Sequence, residues 1–171
     1  MTRGSAAICI VGLRGSGKTT ATQALSRHGF HAISAGAKNT ELALREGCPM
    51  DTQSLQNFGL RLIEERGADY FASILAAEAE GYPRVVFEGV RVPEVVACLK
   101  KKFSNMTVVL LTASPEKRRG RLIQRGSDPS LDRHPIEAYS GVYSALANVT
   151  IVNDGNLADF QKDVLSLVAL E

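Results

Sequence analysis

The stretch Gly12-Leu13-Arg14-Gly15-Ser16-Gly17-Lys18-Thr19 constrains this chain more than any other. It fits the pattern G-x-x-x-x-G-K-[ST], preceded by the apolar run Ile8-Cys9-Ile10-Val11 and followed by a segment with helical spacing. Strand, glycine loop and helix in that order make a P-loop. The glycines allow backbone N–H groups to curl around phosphate oxygens at the positive end of a helix. Lys18 is then placed for the terminal phosphates and Thr19 for a hydroxyl contact to magnesium, with Gly12 to Thr20 as the whole phosphate-binding set. The expected ligand is a nucleoside triphosphate, taken as ATP with Mg2+.

The rest of the chain is read as one domain over residues 1–171. With 44% hydrophobic and 22% charged residues it has the make-up of a globular protein, and no apolar run approaches the roughly 20 residues of a membrane helix. The five residues before the first strand leave no room for a signal peptide, so a cytoplasmic location is expected. Cys9, Cys48 and Cys98 stand far apart without metal-ligand spacing and read as reduced thiols. A net charge of +2 argues against nucleic acid as a partner, and monomer and homodimer stay open.

Apolar periodicity lays out the elements. The first helix is expected over Thr19 to His28 and a second strand over Phe30 to Ser34, closing at Gly36. From Asn39 to Gly81 the pattern is helical, with a break at Gly47-Cys48-Pro49 and three helices in all. Arg84 to Phe87, Met106 to Thr112 and Val149 to Val152 read as strands, and Pro93 to Lys102 as a helix. A basic helix starts at Ser114-Pro115 and ends at Arg125-Gly126, a mobile loop runs from Ser127 to His134, and a helix then reaches Ala147. Asn156 caps a closing helix over Leu157 to Leu170. Five short apolar strands alternating with helices predict an α/β fold: a three-layer sandwich with a five-stranded parallel sheet and helices on both faces.

Outside the loop, four groups of residues carry chemistry. Glu88 ends the third strand, where an acid can help to hold magnesium, and Gly89 beside it permits close approach. Arg91 lies three residues on and is read into the same cleft. Arg118, Arg121 and Arg125 follow helical spacing and share one face, suited to the charge that spreads over equatorial oxygens during phosphoryl transfer. Gln56 and Arg61, in the helical block, are candidates for acceptor contact, and Asp128, Asp132, His134 and Glu137 mark the polar loop.

Taken together, these segments resemble the P-loop nucleoside and nucleotide kinases. The likeness is greatest to the deoxynucleoside monophosphate kinases and to the archaeal dephospho-CoA-kinase-related or adenylate-kinase-like ATPases. It rests on Gly12 to Thr19, Glu88 to Pro93, Ser114 to Arg125, Asp132 to Glu137 and Ile151 to Gly155, and so covers nearly the whole chain. The resemblance implies a small kinase with a core, an acceptor-binding helical insertion over about 36–81 and a lid over about 118–137. It puts Lys18, Arg91, Arg121 and Arg125 in catalysis and Thr19 and Glu88 at the metal. Arg121 would also lie near the donor adenine and Arg125 near its phosphates, leaving Gln56, Arg61, Glu88, Arg91 and Arg118 for the acceptor. Three features depart from the pattern: Gly36-Ala37-Lys38-Asn39-Thr40 stands where such kinases carry G-D-x-x-R, Glu88 replaces aspartate, and an arginine after Gly126 is missing.

The missing acid bears on the acceptor. A neutral hydroxyl needs a base to take its proton, whereas a phosphate is already an anionic nucleophile. Ala35, Gly36 and Ala37 are read as the turn after the second strand and offer no carboxylate, which favours a nucleoside monophosphate as the small-molecule acceptor. A hydroxyl-directed kinase related to dephospho-CoA kinase, with Glu88 as base, is the second reading. A nucleotide-dependent switch or partner-binding ATPase is the third.

Overall fold

The computed structural model describes residues 6–127 and 141–170. Five strands, β1 (Ala6–Val11), β2 (His31–Ser34), β3 (Arg84–Glu88), β4 (Met106–Thr112) and β5 (Val149–Val152), form one sheet in the order β2-β3-β1-β4-β5. Every pairing is parallel. β1 lies at the centre, so the loop that leaves its C-terminal end emerges at the middle of the sheet edge where α/β proteins bind ligands.

Side chains alternate between the two faces, as strand geometry requires. Ile8, Ile10, Val86, Val109 and Leu111 pack under α1 (Lys18–Ser26) and α8 (Leu157–Ser166), which is followed by a 3-10 turn over Leu167–Leu170. Ala7, Cys9, Val11, Val85, Phe87, Val108 and Leu110 face the other way. They meet α3 (Thr52–Arg66), α4 (Ala68–Glu78) and α5 (Pro93–Lys102), with Ala35 and Ala43 of α2 (Ala35–Arg45). Helices thus cover both faces, as the α/β reading expects. Cys9 is fully buried in β1, and burial pushes its thiol up to about 12, so it is an inert core residue. Among the described residues no helix is long and apolar enough to cross a membrane.

The helical block between β2 and β3 consists of three helices, as its periodicity predicts, and Asp51 caps α3 by accepting from the Ser54 N–H at 2.9 Å. Its entry differs from the expectation. Ala35, Gly36 and Ala37 do not form a turn: they are the first turn of α2, because Ser34 both ends β2 and caps the helix, its Oγ accepting from the Ala37 N–H at 3.2 Å. Gly36 has no positive φ and needs no loop. α1 stops at Ser26, two residues before the predicted end. The basic helix α6 (Pro115–Gln124) starts as expected, with Ser114 accepting from the Lys117 N–H. Of the helix expected before β5, the described part is α7 (Tyr143–Leu146). Asp128, Asp132, His134 and Glu137, and residues 128–137 of the expected lid, lie outside the described residues.

Candidate functional site

The loop after β1 is shaped by three glycines at positive φ: Gly12 at 142°, Gly15 at 77° and Gly17 at 108°. All three also have no room for a side chain, a Cβ on Gly15 lying 2.8 Å from the Arg118 carbonyl oxygen. A Cβ on Gly12 would lie 2.2 Å from the Leu111 carbonyl oxygen, and one on Gly17 would lie 2.3 Å from Asn153 Nδ2. The loop is therefore pressed onto the ends of β4 and β5, with Gly17 as the left-handed residue that opens α1. Lys18 Nζ donates to the Gly12 and Leu13 carbonyls at 2.7 and 2.8 Å, which folds the cation back over the loop. Thr19 beside it is exposed.

A network behind the loop holds this shape. Arg118 Nη1 donates to the Arg14 carbonyl at 3.2 Å and Arg121 Nη1 to the Gly15 carbonyl at 3.1 Å. Arg121 Nη2 also reaches Asn153 O and Oδ1 at 2.8 and 3.2 Å, and Asn153 Nδ2 donates to the Ser16 carbonyl at 2.8 Å. Gly17, Thr20, Arg121, Arg125, Asn153 and Phe160 border a cavity of about 210 Å3 beside the loop. Glycine cradle, helix N-terminus and these cations fit a nucleoside triphosphate.

On the other side of β1, parallel pairing sets Glu88 against Ile10 and Ser34, at the end of the strand next to the one that feeds the loop. Thr22 of α1 donates its hydroxyl to Glu88 Oε2 at 3.2 Å. Gly89 follows at φ 73°, and past it opens a larger cavity of about 290 Å3 between α2, α3 and the start of α5. Its walls are mostly apolar, including Leu55, Leu62, Ile63, Phe71, Val92 and Val95, and its polar members are Asn39, Thr40, Thr52, Gln56 and Arg91. No carboxylate is among the described residues that line it. Gln56 is 7% exposed, and neither atom of its amide has a hydrogen-bond partner.

The structure thus brings Gln56 and Arg91 into one cavity and Arg121 and Arg125 to another, with Glu88 at the sheet edge between β1 and β2. Two expected acceptor residues lie elsewhere. Arg118 reaches the loop carbonyl of Arg14. Arg61 pairs with Glu46 at 3.2 Å and lies over the Phe58 ring, outside the cavity lining. Sequence reasoning missed Asn153 as the joint between β5, the loop and α6, and Thr22 as the partner of Glu88. An Asn at the end of the last parallel strand, where ligand-side loops gather, was the available signal for the first. Thr22 lies one helical turn from Lys18, on the face turned to β3, a periodicity signal for the second.

Comparison with known proteins follows this geometry. Residues 8–139, well over half of the chain, match the family model described as AAA domain. The UPF0200 protein of Pyrococcus horikoshii is 32% identical, with 95% of each chain covered. Among solved structures, the shikimate kinase of Acinetobacter baumannii in complex with shikimate aligns with a TM-score of 0.61 at 18% identity, over 97% of this chain and 94% of that one. The APS kinase of Mycobacterium tuberculosis, solved with AMPPNP and APS, aligns with a TM-score of 0.55 at 10% identity, over 96% of this chain and 98% of that one. At these identities the two enzymes share the fold, a P-loop kinase-like parallel sheet with helices on both sides.

Proposed function

The chain belongs to the AAA-domain family and to the UPF0200 proteins, and from that premise we propose that it is an ATP- and magnesium-dependent phosphotransferase whose acceptor is a nucleoside or deoxynucleoside monophosphate. The observation that carries this reading is the cavity beyond Gly89: it offers a cation, Arg91, and a buried amide, Gln56, and no carboxylate among the described residues of its lining. An acceptor phosphate needs positioning by cations and no base, and this cavity matches that need.

In this reading ATP with Mg2+ supplies the phosphoryl group and neutralises its charge. Gly12, Gly15 and Gly17 present backbone N–H groups to the donor phosphates, and Lys18 turns from its own loop carbonyls to the β and γ oxygens. Thr19 and Glu88 hold the metal side, with Thr22 orienting the Glu88 carboxylate. Arg121 and Arg125 serve the donor and Arg91 the acceptor phosphate, whose oxygen bonds to the γ-phosphorus as the bond to the bridging oxygen breaks. The helical segment over about 36–81 is the acceptor-binding part of a single domain.

A second reading rests on the Thr22–Glu88 hydrogen bond, which would hold the carboxylate as a base for a hydroxyl acceptor. A coupled assay over the common ribo- and deoxynucleoside monophosphates separates the two. ATP-dependent turnover of at least one of them is expected. Absence of turnover with all of them, while ATP binds, overturns the proposal. Turnover of a hydroxyl acceptor that disappears in Glu88→Gln while the acceptor still binds establishes the second reading instead.

A further inference from the structure

Of the three described residues with a buried, unpartnered polar side-chain atom, two, Arg14 and Ser16, belong to the P-loop. The third is Gln56, 7% exposed, which lines the larger cavity with both its amide nitrogen and its amide oxygen unanswered by the protein. A buried amide without partners is costly, and backbone groups, side chains or ordered water normally satisfy it. The lining it shares is mostly apolar, with Leu55, Leu62, Ile63 and Phe71 among its members, and none of its polar members bonds to the amide. Asn39, the other carboxamide in the lining, is already committed through its Nδ2 to the Leu55 carbonyl at 2.8 Å.

We propose that Gln56 reads the polar edge of a planar heterocyclic base, and that this contact decides which acceptor the cavity accepts. The amide presents one donor face and one acceptor face side by side, so its complement is a ring edge with an adjacent acceptor and donor. The walls select among molecules with that feature. A polyhydroxylated ring carries polar groups all round its rim, and those set against Leu62, Ile63, Phe71, Val92 and Val95 would be unpaired at a cost. A heteroaromatic ring has apolar faces for those side chains and concentrates its polarity on the edge that a single amide can meet. A volume of about 290 Å3 accommodates such a ring with its sugar, at the small end of ligand sites.

This inference rests on the larger cavity being the acceptor site, and its test uses equilibrium binding without ATP, so that it can fail separately from the transfer reaction. The probes are the common nucleoside 5′-monophosphates, ribose 5-phosphate as the abasic control, and base-edge-methylated forms of the best binder. The variant is Gln56→Met, which keeps the length of the side chain and removes its polar atoms. At least one nucleotide is expected to bind the native protein about 10–100-fold more tightly than ribose 5-phosphate. Methylation of its base edge and Gln56→Met are each expected to remove most of that advantage, with ribose 5-phosphate binding unchanged in the variant. Ribose 5-phosphate binding as well as every nucleotide overturns the proposal, as does a nucleotide that binds Gln56→Met as it binds the native protein. The methylated probes need no variant, so the proposal is tested even if Gln56→Met does not fold. Gln56-dependent binding without phosphoryl transfer leaves this inference standing and removes the transfer reading.

Discussion

Two buried amides separate the halves of this molecule. Asn153, 6% exposed, is satisfied within the protein: its nitrogen donates to Ser16 and its oxygen accepts from Arg121. Gln56, 7% exposed, has no partner in the protein on either atom. The first ties the P-loop to β5 and α6, so that the protein's own contacts hold the loop in the shape seen without ligand. The second leaves the helical half with an amide that the protein does not answer, the group assigned above to the acceptor. On the proposed function, preorganised phosphate binding on one side and selective recognition on the other would be the division of labour of a two-substrate site.

The largest expected effect breaks one half alone. Lys18→Ala removes the cation from the loop, and ATP-dependent turnover is expected to fall by about 100- to 1000-fold, the scale of losing one preorganised charge at a phosphoryl centre. Titration of the acceptor against this variant should give native affinity, because Lys18 lies outside the larger cavity. Loss of acceptor binding in Lys18→Ala would show that the two halves are one coupled site.

The halves also differ in how far the sequence reveals them. The P-loop is contiguous, and each of its residues is fixed by a local demand: a positive φ, a missing Cβ, a helix N-terminus. It was therefore legible from Gly12 to Thr19, together with the five strands that periodicity implies. The larger cavity draws its lining from Ala35 to Thr40, Thr52 to Ile63, Phe71, and Gly89 to Val95. No spacing rule joins those segments, because packing between helices brings them together. Gln56 was singled out in the sequence beside Arg61, but periodicity alone could not tell the buried amide from an arginine that turns outward to Glu46. The first turn of α2 was misread for a local reason. Gly36 resembles a break, and the cap from Ser34 that makes it helical depends on where β2 ends.

Stability measurements sharpen the contrast between the amides, at an intermediate scale. Asn153→Ala leaves the Ser16 carbonyl and one Arg121 contact without their partner, and a loss of about 1–3 kcal/mol in the free energy of unfolding is expected. Gln56→Met takes two unsatisfied polar atoms out of an apolar setting, and the ligand-free protein is expected to become more stable by up to about 1 kcal/mol. Chemical denaturation of both variants tests the pair. Destabilisation by Gln56→Met comparable to that by Asn153→Ala would mean that the protein already satisfies this glutamine.

The smallest expected effect concerns charge, and it too divides the molecule. Four groups in the helical segment are held away from their ordinary titration. A side-chain hydrogen bond from Lys38 lowers Glu41, bonds from Ser54 lower Asp51, and a bond from Lys102 lowers Asp69. Lys38 is raised by its bonds to Glu41 and Glu78, which tie α2 to α4. A carboxylate whose folded pKa lies below its unfolded one stabilises the fold above the unfolded value, and that contribution is lost as pH falls through the folded value. For a lysine raised in the folded state the contribution is complete below 10.5 and is lost as pH rises past it. Acid should therefore loosen α2 to α4 progressively below about pH 4.5, where the carboxylates leave their unfolded range, and alkali should release the Lys38 pairs. These side chains are largely exposed, so salt should blunt both effects. Hydrogen exchange followed against pH is the measurement: protection in α2 to α4 should fall at acid pH before protection in β1 and β4 does. Equal loss in the central strands would show that the helical segment and the core open as one unit, and that the segment has no separate stability of its own.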